Sequence, residues 1–544
     1  MRAAGAMGAA TLISRVMGLV REQVFAILFG AGNATDAFNI AFRIPNLLRD
    51  LFAEGAMSAA LVPTFTRVRK EEGERRAWRT AGLVFRTLFI VVLCLAVAGI
   101  IFAPELVGMY ADSFHKVPGK FEITVAMTRI MFPFFPLVAL AAAFMGILNA
   151  CGKYFMPAFA SALFNITSVV VGAALAMIFP HYGYQPILGM AIGVVFGGFV
   201  QAFSQLPILR TVGYRYPKRL DGESVWHRDP ALRRMMALMI PGTVGLAATQ
   251  VNVLVNSMLA TSQGPGAVSW LNYAFRLMQF PIGIFGVSLA AATLPRVSAL
   301  WVDRDVKGIS EQLTHSLKQV FAVNLPASAG LAFLGFPIIQ LLFQYGRFFP
   351  EDVHATANAL AAYSVGLSAY SAVKVLVPAC YAVGRTRIAV ISSMISVGLT
   401  IVLNLVMVGP FGYVGLALGT SFAAVLNCVF LMVSLRGALA EAGGEWPIWP
   451  LIRSFLVHAF AALVMGAACW AAYTFIGPML PDMLVSGAGK LGIALFRAVK
   501  VGLWMMVGFG VLWGVARALG LRETLDAIHV FEKKLKNQVS RFRK

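Results

Sequence analysis

The sequence predicts an all-α polytopic membrane protein of about fourteen transmembrane helices, built as two six-helix pseudo-symmetric lobes plus two C-terminal helices. Three observations lead there. Hydrophobic residues make up 59% of the 544 positions and charged residues 13%, roughly half the charge that covers the surface of a soluble chain. Apolar runs of roughly twenty residues, enough to cross hydrocarbon, recur from end to end. Basic residues collect in alternate loops, as in a chain threaded repeatedly through a bilayer.

Leu83–Ala103 (interrupted by Arg86), Phe132–Leu148, Ile187–Phe203, Ile388–Val408 and Leu456–Tyr473 are the cleanest runs. A bilayer offers the backbone no hydrogen-bond partners, so each must be a helix or part of a closed barrel. The period-2 alternation of a barrel is absent. The spacing predicts spans at 7–30, 34–64, 81–104, 121–150, 156–180, 186–210, 232–260, 268–299, 314–344, 353–383, 388–409, 413–436, 450–477 and 491–518. The net charge of +21 is concentrated in loops such as 67–79, 210–234, 304–307 and 385–387. That distribution argues against a nucleic-acid partner and places both termini in the cytoplasm. It also favours contact with anionic membrane lipid. The first apolar stretch holds Arg15, Arg21 and Glu22, unlike the uncharged core of a cleavable signal.

The chain repeats itself. Ala41-Phe42-Arg43 returns as Ala274-Phe275-Arg276, a shift of 233; Gly152-Lys153 is answered by Gly384-Arg385, a shift of 232; Gly183-Tyr184 is answered by Gly412-Tyr413, a shift of 229. An even number of spans per repeat gives both lobes one orientation, a transporter architecture. The expected organisation is an N-lobe at 1–230, a C-lobe at 231–440, two further spans at 441–518 and a basic tail at 519–544. In that tail Leu521, Leu525, Ile528, Phe531, Leu535, Val539 and Phe542 recur by threes and fours among lysines and arginines. The pattern predicts an amphipathic helix on the cytoplasmic membrane surface.

Ionisable groups inside a span are costly and mark function by default. Asp36, Arg43, Asp50 and Glu54 are 7, 7 and 4 residues apart on the second span, within about 40° of one helical stripe that runs roughly 27 Å. Asn39 and Asn46 flank the stripe, and a kink at Pro45 would turn Arg49 toward it. The first span adds Ser14, Arg15, Arg21 and Glu22; the repeat-equivalent helix of the second lobe carries Ser269, Asn272, Arg276 and Gln279. Arg15, Arg21, Arg43, Arg49 and Arg276 against Glu22, Asp36, Asp50 and Glu54 would give a slightly cationic lining rich in guanidinium forks. Such forks suit bidentate phosphate recognition, so a phosphate or diphosphate substrate is expected. A purely structural reading makes these groups internal ion pairs, with Arg15 and Glu22 one heptad apart and Asp36 meeting Arg21 across helices.

No Gly-x-x-x-x-Gly-Lys-Ser/Thr loop occurs, so no intrinsic ATPase is expected. No His, Cys, Asp or Glu cluster has metal-ligand spacing, and neither metal nor cofactor is expected. The five cysteines suggest no disulfide framework.

SRVMGLVRE (14–22) and ATDAFNIAFRIPNLLRDLFAEGAMSAALVPTF (34–65) resemble the signature of the lipid II flippases (MurJ/MviN) of the MOP exporter superfamily. The resemblance continues through GILNACGKYFMPAFA (146–160), SWLNYAFRLMQFPIGIFGVSLAAATLP (269–295), FQYGRF (343–348) and VKVLVPACY (373–381). It implies fourteen spans, a central cavity, and alternating access in the bacterial cytoplasmic membrane. The implied substrate is the undecaprenyl-diphosphate-linked peptidoglycan precursor, with the cell-wall synthesis machinery as a candidate partner. By position, Arg15, Arg21, Arg49 and Arg276 resemble the cavity arginines, Asp36 and Glu54 the acidic residues that gate or pair with them, and the last two spans a groove for the lipid tail. Arg43 stands where relatives carry lysine. Phe275 and Asp50 depart from the pattern, standing where some relatives carry an acid and a base. The seventh and eleventh spans hold Asn252, Asn256 and Asn404 in place of carboxylates, which favours coupling to membrane potential or protons over a sodium site.

The rival readings are a flippase for another diphosphate-linked lipid oligosaccharide and a multidrug exporter of the same superfamily. The arginine set disfavours the second. A membrane glycosyltransferase acting on the same lipid would need carboxylates beside a sizeable loop, and Glu105, Asp112, Glu351 and Asp352 are the ones available.

Overall fold

The computed structural model describes residues 2–51, 56–214, 250–480 and 489–529, and among them the regular structure is helical throughout, with no strand. Eight helices are long and apolar enough to cross a membrane, and two bent pairs, taken as one span each, raise this to ten among the described residues. The chain divides into two compact units, Met1–Ser269 and Trp270–Lys544.

The first unit holds α1 (Arg2–Phe29), α2 (Asn33–Arg49), α3 (Ala56–Glu71), α4 (Glu74–Ile101), α5 (Ala103–Ala111), α6 (Lys120–Met131), α7 (Phe134–Ala150), α8 (Phe155–Ile178), α9 (Ile187–Phe203), α10 (Leu206–Thr211) and α11 (250–261). α12 (Ala267–Pro281) begins at its end. The span expected over 34–64 is covered by α2 and α3, with residues 52–55 between them outside the described residues. Pro45 sits inside α2 without ending it, and the hydrogen bonding turns to the wider π pattern at Asp50 and Leu51. The core of this unit packs Phe25 of α1, Phe38 and Ala41 of α2, Met127 and Met131 of α6, Phe134 of α7, Phe164 of α8 and Met190 of α9. α8 and α9 approach closely because Gly189, Gly193 and Gly197 recur every fourth residue. A Cβ there would lie 2.6 Å from Ala176 N, 2.5 Å from Ser168 O and 2.2 Å from Ser168 Oγ respectively. Small residues at this spacing let backbones meet where lipid supplies no hydrophobic drive.

The second unit holds α13 (Val287–Val302), α14 (Val306–Phe333), α15 (Gly335–Phe343), α16 (Pro350–Ser364), α17 (Leu367–Ala382), α18 (Thr386–Glu441), α19 (Trp449–Ala471), α20 (Gly489–Ala518) and α21 (522–529). One core joins α13, α14, α17 and α18 through Val297, Leu317, Leu376 and Leu431; another joins α19 and α20 through Ala461, Cys469, Trp504 and Leu512. α14 and α15 bend by 72°, and α16 and α17 by 43°. α18 is two expected spans run together across Gly412, whose φ of 55° and ψ of −138° no helix contains. The glycines that anchor the sequence repeat, Gly152 with Gly384 and Gly183 with Gly412, all have positive φ. Each ends or breaks a helix, and the absence of a Cβ permits that backbone. Two of the three anchors of the sequence repeat therefore coincide with helix boundaries, while Ala41-Phe42-Arg43 and Ala274-Phe275-Arg276 lie inside α2 and α12. In the basic tail, Leu521, Thr524 and Ile528 are buried and Glu523 lies 3.7 Å from Lys318; residues 530–544 of the expected amphipathic helix lie outside the described residues.

Candidate functional site: a charged track in the first two helices

α1 and α2 carry most of the expected site. Arg21 and Glu22 are both buried, 8% and 6% exposed, and Arg21 Nη2 donates to Glu22 Oε1 at 3.1 Å. The guanidinium carbon of Arg21 stands 5.8 Å from the ring centroids of both Phe42 and Phe164. Two aromatic faces thus help stabilise a cation that burial would otherwise disfavour. Arg15, one and a half turns earlier on α1, is exposed.

Asp36 is fully buried. Its carboxylate accepts from Lys120 Nζ at 3.2 Å, from Gly266 N at 2.7 Å, and from Ser269 N and Oγ at 3.0 and 2.7 Å. Gly266 and Ser269 open α12, so a carboxylate from α2 serves as its N-terminal cap, where backbone N–H groups lack helical partners. Ser269 is the repeat-equivalent of Asp36, 233 positions on. Asn39 Nδ2 donates to Ser269 Oγ at 3.3 Å. Lys120 lies 4.0 Å from the Phe114 ring centroid and its side chain is 4% exposed. Asp36 therefore meets Lys120, and Arg21 meets Glu22, where the pairing considered from sequence was Asp36 with Arg21 and Arg15 with Glu22.

Further along α2, the half-buried Arg43 donates through Nη1 to Ser257 Oγ of α11 at 2.7 Å. Asn46 is half-buried, and its Oδ1 has no hydrogen-bond partner among the described residues. Arg49 pairs with the adjacent Asp50 at 2.7 Å, the two side chains 24% and 34% exposed. Glu54 lies outside the described residues. In the second unit Arg276 is half-buried on α12, and its neighbour Phe275 packs edge-on against Tyr363 with ring centroids 5.4 Å apart. The asparagines considered in place of carboxylates are also bonded: Asn256 donates to Asn252 at 3.0 Å, and Asn404 to Thr420 Oγ1 at 3.5 Å.

Sequence reasoning missed Lys120, Ser257, and the rings of Phe42 and Phe164. Lys120 reads as one more loop lysine. Its position at the head of a helix, just after the Pro118-Gly119 turn, is the signal that could have found it.

The arrangement gathers guanidinium groups that suit an anion in a bundle of α1, α2, α6, α8 and the start of α12. The structure of a lipid II flippase MurJ in an inward closed conformation superposes with a TM-score of 0.73 at 24% identity, covering 94% of this chain and 99% of that one. An inward-facing multidrug resistance MATE family transporter of the MOP superfamily superposes with a TM-score of 0.65 at 15% identity, over 80% of this chain and 98% of that one. The protein thus has the fold these structures share.

Sequence likeness narrows the class. The family profile described as lipid II flippase MurJ matches residues 25–484. A lipid II flippase MurJ of Burkholderia cenocepacia is 36% identical over 508 residues, 92% of this chain and 95% of that protein. A probable lipid II flippase MurJ of Vibrio cholerae is 33% identical over 505 residues, 91% of this chain and 94% of that protein. The chain belongs to the lipid II flippase MurJ family.

Proposed function

We propose that this protein is a lipid II flippase: it moves the undecaprenyl-diphosphate-linked peptidoglycan precursor from the inner to the outer leaflet of the bacterial cytoplasmic membrane, by alternating access through a cationic cavity. The observation that carries the reading is the buried Arg21 of α1, held by Glu22 and by the aromatic rings of Phe42 and Phe164. An intramembrane guanidinium is stable when a carboxylate or a phosphate accompanies it. With Glu22 as the resting partner, an arriving diphosphate exchanges one anion for another, and Arg21 is never left bare. Arg15, Arg43, Arg49 and Arg276 extend the cationic lining, with Asn46 as a polar contact whose Oδ1 awaits a donor. Ser269 and Asp36 hold the start of α12, and release of that clamp is the candidate gating step, with Glu54 as a further gating acid.

The sequence supports a lobe scheme of 1–230 and 231–440, a tail groove at 441–518, and both termini in the cytoplasm. It lacks a phosphate-binding loop, so transport draws on a gradient or the membrane potential without an ATPase in this chain. The cell-wall synthesis machinery is the expected protein partner.

The test is complementation of cells depleted of their own lipid II flippase, with precursor exposure at the outer face as the readout. Restored growth with exposed precursor is the expected result. Protein present in the membrane with precursor retained inside would overturn the substrate assignment in favour of another diphosphate-linked lipid.

A further inference from the structure

α4 presents two unlike faces along one helix. Phe85, Leu88, Val92, Ala96 and Gly99 are buried, and Phe85 meets Phe144 of α7 edge-on with ring centroids 4.9 Å apart. Gly99 packs so closely on Phe132 that a Cβ would stand 2.1 Å from its ring. The other face is open. Arg86 is exposed there, and Phe89, Ile90, Leu93 and Val97 are 37%, 42%, 43% and 49% exposed beside it. Arg79, Arg86 and Leu93 recur at intervals of seven, which holds them to one face with a drift of about 20° per step. No acidic residue stands between Glu74 and Glu105, and Glu74 itself pairs with Arg69 of α3. The open face of α4 therefore carries cations at one end and apolar side chains over the rest.

The heights along that face match a lipid. From Arg86 the apolar run continues to Ala103, roughly 26 Å on and somewhat short of the hydrocarbon thickness. Arg86 thus stands just inside the hydrocarbon edge, where a long side chain reaches back to the phosphates. Arg79 lies about 10 Å nearer the turn between α3 and α4, at headgroup depth. Leu93 and Val97 lie about 10 and 16 Å beyond Arg86, which spans the acyl region of one leaflet. Exposed apolar side chains on a spanning helix are the surface that acyl chains cover, and cations at headgroup depth favour anionic lipid. We propose that this face of α4 holds an anionic phospholipid, its phosphate on Arg79 and Arg86 and an acyl chain along Phe89, Ile90, Leu93 and Val97. The assignment stands apart from the flippase reading, because it uses no residue of the arginine track and its test reads no transport.

The chain carries its own reporter. Cys94 is exposed on the same helix, and the other four cysteines are buried or half-buried. A maleimide fluorophore on Cys94 of the full chain sits about 12 Å beyond Arg86, in the acyl-chain zone. The labelled protein is reconstituted in vesicles of phosphatidylcholine and phosphatidylglycerol, with bromine on the acyl chains of one lipid or the other. Quenching then gives the relative occupancy of the two lipids, and Cys94→Ala supplies the blank. The expected result is a preference for phosphatidylglycerol of about tenfold or more, at about fivefold per cation. Arg86→Gln should lower that preference about fivefold, and Arg86→Lys, which keeps the charge, should retain most of it. Equal quenching by the two lipids in the parent would overturn the proposal without recourse to any variant. A preference left unchanged in Arg86→Gln with Arg79→Gln would overturn the site. Quenching by neither lipid would mean that protein covers this face, which overturns the lipid as its occupant.

Discussion

Lys120→Met tests whether the carboxylate of Asp36 is a fold-holding clamp. Asp36 is fully buried and accepts from four donors, of which Lys120 is the one with formal charge. Methionine keeps the aliphatic packing beside Phe114 and removes the charge, leaving a buried carboxylate with neutral donors. Breaking a buried pair in this way costs about 3–5 kcal/mol. Asp36→Asn should cost a similar amount. It strands the ammonium of Lys120, and the new amide must turn its NH2 group toward the backbone donors of Gly266 or Ser269. The double variant carries neither charge, and what remains is the mismatched amide, about 1–3 kcal/mol. A double-mutant cycle on purified protein, read by denaturant unfolding in detergent, should therefore give a coupling of at least about 2 kcal/mol. Additivity of the two substitutions within about 0.5 kcal/mol would refute the clamp.

Arg21→Ala, Arg15→Ala and Arg276→Ala should each abolish translocation with the protein still present in the membrane; full activity in all three would remove the cavity assignment. Arg21→Lys should also impair transport, because an ammonium lacks the planar fork, and normal activity would mean that charge alone suffices. Gly412→Ala should destabilise the protein by about 1–3 kcal/mol, since its backbone lies where a Cβ is disfavoured; an unchanged unfolding midpoint would contradict that. Burial pushes the Cys151 thiol up from its ordinary range, opposed by the charge of Arg69. In a variant with Cys151 as its sole cysteine, maleimide labelling should thus be slow at neutral pH and rise with alkali. Arg69→Gln should shift that rise to still higher pH, and a rise at or below the ordinary thiol range would falsify the account.

The helices, the repeat and the family were legible because each is carried by a periodic or local signal. Apolar runs set the spans, and Gly152, Gly183, Gly384 and Gly412 mark helix ends with a backbone few other residues adopt. The partners of the charges were not legible. Position on a stripe tells which residues share a face of α2, but it does not tell which neighbouring helix that face meets. Lys120 is 84 positions from Asp36 and Ser257 is 214 from Arg43, and nothing periodic joins them. The widened hydrogen bonding after Arg49 was hidden for a different reason. Pro45 is the visible helix breaker, yet α2 continues through it, and the widened hydrogen bonding falls at Asp50 and Leu51, where no residue announces it.

Pairing also sorts the charges by role. Along the track and at its clamp, the cations Arg15, Arg21, Arg43, Arg49 and Lys120 stand against the carboxylates Glu22, Asp36 and Asp50. Asp36 is saturated by four donors from distant parts of the unit, so moving it means dismantling the start of α12. Glu22 and Asp50 are each paired with the adjacent arginine, and such a pair can open by rotamer changes in two side chains, at far smaller cost than a helix cap. In the proposed mechanism a substrate phosphate at Arg21 competes with the carboxylate of Glu22, whereas motion at the start of α12 acts on Asp36. Substitutions at Glu22 should change substrate affinity first, and substitutions at Asp36 should change the balance of conformations first.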